Sequence, residues 1–339
     1  VSSGRLIAGA AAKVVGLYGR PARAPRGDVA PTAWQTAALT PDPMGFDLYA
    51  ISPSGAVQDR ARMERAAARL AQAGIGVRFD RAAFARSQRF AGTDAQRAAA
   101  FERAATQPAP VVMITRGGYG LTRYLDALDY PRLAASGKHW VGVSDFTAFQ
   151  LAMLARAGAV TWSGPALTDF GAEEGVDTLT LEAFGEAMRG ELEVLGFRYS
   201  GPKDVEARGV LWGGNLTVLC ALLGTPWFPK IRRGILFVED VNEHPYRIER
   251  MLSQLLHAGV LDAQSAVLVG QVSRYRLAEH DRGFDMPSVL RFLRDRTRTP
   301  ILAGLPHGHE MPCLTLPHGA RVSLATEGRT CWLRLPHSH

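Results

Sequence analysis

The stretch Trp140-Val-Gly-Val-Ser-Asp-Phe-Thr-Ala-Phe-Gln-Leu-Ala-Met-Leu154 decides how this chain is read. His139 to Val143 has the apolar run of a short buried strand. Asp145 to Leu154 places Phe146, Phe149, Leu151 and Leu154 on a helix face. Ser144 stands at the joint. A serine at a sharp strand-to-helix turn projects its hydroxyl from the carboxyl end of a sheet. The unpaired N–H groups of the first helical turn lie beside it, ready to stabilise an oxyanion. Gly142 relieves crowding two residues earlier, as the first glycine of a nucleophile elbow does. Phe146 stands where the second glycine of that motif would be. Ser and Asp are also favoured N-caps, and on this stretch alone a cap is the simpler reading.

Working outward, strands are expected near residues 48, 77, 113, 141 and 160, with helices between them over about 58–73, 94–105, 121–128 and 145–154. This alternation predicts an α/β fold, with a doubly wound, mostly parallel N-terminal domain over 45–169. Two turns fall at strand ends, where ligands of such sheets bind: Ser52-Pro-Ser-Gly55 and Arg116-Gly-Gly-Tyr-Gly120. The second lets backbone N–H groups approach a ligand closely, and no Lys-Ser or Lys-Thr follows to make it a P-loop. Residues 170–205 read as a linker between domains, helical near Leu179 to Met188 and polar after it. A β-rich C-terminal domain is expected over 206–339. Within it, Ile235-Leu-Phe-Val-Glu-Asp240 carries Glu239 to a sheet edge, Tyr246 to Ala258 is an amphipathic helix, and a terminal hairpin closes the chain.

Composition narrows the function. The 339 residues suffice for two domains, and the formal charge of +7 is scattered. No basic stripe with interleaved aromatics appears, so nucleic acid is not the expected partner. Cys220, Cys313 and Cys331 are far apart, which argues against a disulfide framework and fits a reducing, cytoplasmic compartment. They have no metal-ligand spacing, and no apolar run reaches the length that crosses a membrane. Residues 1–44 read as a flexible or artificially appended extension, with a cleaved signal as the other reading.

Three groups can be assembled for nucleophilic catalysis: the Ser144 hydroxyl, the Glu239 carboxylate and the His309 imidazole in Pro306-His-Gly-His-Glu310. A serine needs a base, and the base needs an orienting acceptor. Spacing alone does not show that these three meet, since nine histidines and many carboxylates leave other combinations open. His307 and His318 flank the same region without making a metal set. Asp240, Asn215, Trp162 and Trp212 read as structural, with Asn215 as a cap.

From Phe46 to about Leu335 the chain resembles the LD-carboxypeptidases, serine peptidases that include muramoyl-tetrapeptide carboxypeptidases and microcin C self-immunity peptidases. The resemblance rests on Ser52-Pro-Ser-Gly55, Arg116-Gly-Gly-Tyr-Gly120, Gly142-Val-Ser-Asp-Phe-Thr-Ala148, Gly213-Gly-Asn-Leu216 with Leu223-Gly-Thr-Pro226, and Leu236-Phe-Val-Glu-Asp240 with Tyr246-Arg-Ile-Glu-Arg250. Gly304-Leu-Pro-His-Gly-His309 adds a shorter motif. The extension before residue 44 and Val143, where an aromatic is common, depart from the family pattern.

The resemblance implies a Ser144–Glu239–His309 triad, an oxyanion hole from the N–H groups of Gly118 and Asp145, and a site where the two domains meet. It implies release of terminal D-alanine from a murein tetrapeptide in cell-wall recycling, without cofactor or metal, by a homodimer. An exopeptidase also reads the terminal carboxylate, for which Arg116 and Arg247 offer bidentate forks. Two other functions stay open: cleavage of an amide in a microcin C-like peptidyl-nucleotide, and a non-catalytic module in which glycine turns cradle a small anion.

Overall fold

The structure, a computed structural model, describes residues 45–335 and the pair Lys13–Val14. That pair forms β1 (Lys13–Val14); the rest of the predicted extension lies outside the described residues. The first half alternates as β2 (Phe46–Ile51), α1 (Arg60–Gln72), β3 (Ile75–Phe79), α2 (Asp94–Ala105), β4 (Val111–Ile114), α3 (Tyr130–Ala135), β5 (His139–Gly142), α4 (Thr147–Ala157) and β6 (Thr161–Ser163). Local chemistry sets the helix starts. Asp59 accepts from the Arg62 N–H at 2.9 Å to cap α1, and Thr93 with Gln96 forms a capping box on α2. β3, β2, β4, β5 and β6 pair in parallel in that spatial order. The carboxyl ends of β2, β4 and β5 bring Ser52–Gly55, Arg116–Gly120 and Val143–Ser144 to one edge.

The second half adds α5 (Leu167–Phe170), α6 (Thr178–Arg189), β7 (Val194–Arg198), β8 (Glu206–Asn215), α7 (Leu216–Leu222), β9 (Ile235–Val241), α8 (Pro245–His257), β10 (Ala266–Ser273), α9 (Met286–Arg294), β11 (Ile301–Ala303), β12 (Leu316–His318), β13 (Arg321–Glu327) and β14 (Thr330–Arg334). Its sheet is mixed, in the order β1-β7-β14-β13-β8-β9-β10-β11. β7, β14, β13 and β8 pair antiparallel, while β8 to β11 are parallel. The parallel part ends in Glu239 on β9 and in Gln271 and Arg274 at or just past β10.

Several expectations need revision. Residues 170–205 are not a bare linker: α6 buries Phe184, Ala187 and Met188, and β7 joins the second sheet beside β14. The weak alternation of Val194-Leu-Gly-Phe-Arg198, with a glycine at its centre, hid that strand. Leu121–Leu128 is two single-turn 3-10 helices, Leu121–Arg123 and Leu125–Ala127, not one α-helix. α3 (Tyr130–Ala135), absent from the expected helices, is capped by Asp129 with Pro131 in its first turn. The domain boundary is also crossed, because β12 leaves the second half and pairs antiparallel with β6.

The core is continuous across the two halves. One buried cluster joins Phe101, Trp140, Phe146 and Phe149 to Trp212, Leu219, Leu236 and Ile248. A second joins Leu48, Met63 and Phe170 to Phe237, Leu268 and Leu316. The carboxyl ends of both parallel sheets are therefore fixed relative to each other.

Candidate active site

Ser144 sits at φ +67°, in the left-handed region. A non-glycine residue there costs roughly 1–3 kcal/mol, and its surroundings must hold it in place. The close approaches are supplied by glycines. A Cβ on Gly117 would lie 2.6 Å from the Ser144 Cβ and 2.8 Å from its Oγ, and one on Gly142 would lie 2.7 Å from the Phe146 ring. Phe146 thus occupies the space that Gly142 leaves free, and the second glycine of the elbow is not needed. Gly118, at φ +119°, packs against Gly55, and Gly55 N–H donates to the Gly117 carbonyl at 3.3 Å.

On the other side, His309 Nδ1 bonds Glu239 Oε2 at 2.7 Å. Glu239 is 1% exposed and its Oε1 has no hydrogen-bond partner among the described residues. The Nδ1 contact leaves Nε2 as the ring nitrogen available to another group. Burial pulls the His309 pKa down, but the hydrogen bond and charge of Glu239, with the charges of Asp169 and Asp240, outweigh it and raise the imidazole above its usual 6.5. The loop around His309 is clamped. Gln271 Oε1 accepts from the Glu310 N–H at 2.8 Å, its Nε2 donates to the Pro312 carbonyl at 3.1 Å, and Arg274 Nη2 donates to the His309 carbonyl at 3.1 Å.

Ser144, Gly117, Gly118, Arg116, Gly308 and His309 line one cavity of about 520 Å³ between the halves. Glu239 stands behind the imidazole. Of the residues expected from sequence, Arg247 is placed elsewhere. It is exposed on α8 beside Tyr246 and Glu243, because the apolar face of that helix turns Ile248, Met251 and Leu252 into the core. Arg116 is at the cavity and donates to the Ala56 carbonyl at 3.1 Å.

Four charged residues of the lining escaped the sequence reading: Asp59, Arg62, Asp169 and Arg274. Arg274 and Asp169 follow the carboxyl ends of β10 and β6, which was the available signal, whereas Asp59 and Arg62 belong to the start of α1. Burial pushes the Asp169 carboxyl up, against the pull of the Ala166 N–H and of His309, Arg62 and Arg274.

The two histidines that flank this region, His307 and His318, have structural partners. His307 is fully buried, with Nε2 3.0 Å from Ser163 Oγ and Nδ1 2.8 Å from the Leu314 carbonyl. His318 is 3.5 Å from Thr161 Oγ1, and burial pushes its pKa down to about 3. Asn215 caps α7 by accepting from the Val218 N–H at 3.1 Å, and its amide donates to Asp240 at 3.1 Å. Among the described residues no group of three or more His, Cys, Asp or Glu has the arrangement of a metal site.

Residues 49–164 match the family described as LD-carboxypeptidase N-terminal domain, and residues 208–324 match LD-carboxypeptidase C-terminal domain. A putative carboxypeptidase of Streptomyces coelicolor is 37% identical over 73% of this chain and 79% of its own length. A probable murein peptide carboxypeptidase of Bacillus subtilis is 30% identical over 80% of this chain and 86% of its own. The crystal structure of muramoyltetrapeptide carboxypeptidase from Oxalobacter formigenes superposes with a TM-score of 0.78 at 40% identity, covering 85% of this chain and 98% of that one. The microcin C7 self-immunity protein MccF, solved with glutamyl sulfamoyl guanosine, gives 0.80 at 25% identity over 88% of this chain and 99% of that one.

Proposed function

Given that this chain belongs to the LD-carboxypeptidase family and is a carboxypeptidase, we propose that it is a serine enzyme that releases the terminal D-alanine of a murein tetrapeptide. The observation that carries this reading is the 2.7 Å bond between Glu239 and His309 on the cavity that Ser144 also lines. In the proposed reaction His309 Nε2 takes the proton of Ser144 Oγ, and the oxygen attacks the carbonyl before the terminal residue. The N–H groups of Gly118 and Asp145 bind the oxyanion, each such donor contributing roughly 3 kcal/mol. Glu239 holds the tautomer and stabilises the imidazolium. The proton then passes to the leaving amine, and water releases the acyl group by the same steps.

Arg116 is the first candidate to hold the terminal carboxylate, and Arg62 and Arg274 join it as lining cations. Arg247 would require movement of α8. In this reading the substrate is a soluble fragment recycled in the cytoplasm and the enzyme is a homodimer. No helix among the described residues is long and apolar enough to cross a membrane.

A second reading is favoured by the likeness to MccF: cleavage of an amide in an aminoacyl sulfamoyl nucleotide such as those in that protein's complexes. Nothing supports the non-catalytic alternative. The deciding experiment follows D-alanine from an L,D-linked murein tetrapeptide, with chelator present, for wild type and Ser144→Ala. Release that is lost in the variant supports the proposal. Release that persists in Ser144→Ala removes serine as the nucleophile. Cleavage of aspartyl sulfamoyl adenosine in place of the tetrapeptide moves the function to the second reading.

A further inference from the structure

Two buried ionisable side chains lie behind the site and take no part in the proton transfers above. Asp145 is 2% exposed and Arg97 is 1% exposed. Charges so deep in a protein are costly, and well-packed apolar residues in their place are often more stable. Their contacts converge on the three loops that form the oxyanion site. Asp145 Oδ2 accepts from Ser54 Oγ at 2.6 Å and from the Leu121 N–H at 2.9 Å. The Gly120 N–H also acts on this carboxylate. Arg97 Nη1 donates to the carbonyls of Pro53 and Gly120, each at 3.0 Å. Tyr124 Oη adds a bond to the Pro53 carbonyl at 2.6 Å, and the Arg97 guanidinium lies over the rings of Phe90 and Tyr124. The loop after β2 and the loop after β4 are thus bound to the elbow by one anion, and to each other by one cation.

We propose that the Asp145 side chain is a positioning residue. It fixes the distance between its own N–H, on the elbow, and that of Gly118, on the neighbouring loop, so that both point at the oxyanion when it forms. Arg97, whose ion-pair partner is Asp94, acts with it by holding the backs of the same loops and by favouring its charge at longer range. The role rests on the serine mechanism proposed above. It requires an acceptor-only group. An amide at 145 keeps one oxygen but directs an NH₂ at backbone donors, so that donor faces donor. Because the oxyanion develops only in the transition state, loosening its donors lowers kcat and leaves substrate binding intact.

The test measures kcat and KM of the full chain on whichever of the two named substrates wild type cleaves faster, with thermal unfolding beside it. Asp145→Asn is expected to lower kcat about 100-fold with KM within about twofold, as for loss of one oxyanion donor. Ser54→Ala, which removes a single bond to the carboxylate, is expected to lower kcat roughly tenfold, again at unchanged KM. If Asp145→Asn does not fold, Ser54→Ala decides alone by the same split. Wild-type kcat in the folded variants, or a rise in KM that accounts for the loss, overturns the positioning role. Ser144→Ala separates the two layers. If it is inactive while the other variants match wild type, only the positioning role fails. If it is active, the serine mechanism fails with it.

Discussion

At Ser144 the backbone holds a left-handed conformation, and the side chain stands where a methyl group on Gly117 would meet it at 2.6 Å. Gly117→Ala is therefore expected to displace the proposed nucleophile. Activity should fall by roughly 100-fold or more while unfolding shifts by only about 1–3 kcal/mol, the range for overpacking. Hydrolysis rates and urea melts on the same preparation check this. His309 gives a pH prediction. Its pKa lies above 6.5 in the folded chain, and the base must be neutral, so kcat/KM should rise with pH through an acid limb above 6.5. The same pair contributes stability that is fully present below pH 6.5 and lost as pH rises through the folded value. Glu239→Gln removes the charge that raises this pKa. It should move the acid limb down and lower kcat by roughly 10³–10⁴-fold, read from the pH–rate profile. Residues 144, 239 and 309 could be named from the sequence because each sits in a motif of the family resemblance, while their meeting was not readable from spacing. Asp59, Arg62, Asp169 and Arg274 were not legible, because a charge past a strand end or in the first turn of a helix looks the same whether or not a second sheet faces it.

At the scale of elements, buried polar ties hold the strand ends. Asp80, just past β3, receives two bonds of 2.7 Å from Arg103 on α2 and one of 2.8 Å from Tyr49 on β2. Burial pushes its carboxyl up, but Arg103, the Ala82 N–H and Tyr49 bring it below its ordinary value of 3.8. A depressed folded pKa means that its contribution to stability is present above about 3.8 and lost as pH falls through the folded value. Arg103→Met leaves that carboxylate unpaired and should cost about 3 kcal/mol at pH 7, with less loss near pH 3, by denaturant melts at the two pH values. Helices such as α1, α2 and α8 were legible because their caps and apolar periods agree. The 3-10 turns at 121–127 were not, because their backbone is shaped by the carboxylate of Asp145, a residue 24 positions away from Leu121. β12 carries a proline at its centre and escaped notice for the same kind of reason. Its pairing with β6 is a tertiary fact, and Pro317 is tolerated because the strand lies at the edge of its sheet.

For the whole molecule, the two family domains are one folding body. Both buried clusters draw side chains from each half, and β12 supplies the outer strand of the first sheet. A fragment ending at residue 205 is expected to aggregate when produced alone, since it exposes the face of α4 that α7 and β8 cover and the free edge of β6. Size-exclusion chromatography of that fragment beside the full chain checks this; a monomeric, cooperatively melting fragment would refute it. The α/β alternation was legible at this scale from the first strand onward. The interleaving of the halves was not, since nothing in Leu316-Pro-His318 says which sheet it joins. The return of β12 also has a temporal consequence. On the ribosome, residues 161–163 emerge long before residues 316–318 that will cover them. Throughout that interval the nascent chain carries Ser144 but not His309, so the proposed hydrolytic centre is completed only late in synthesis, close to the moment when the first sheet gains its last strand.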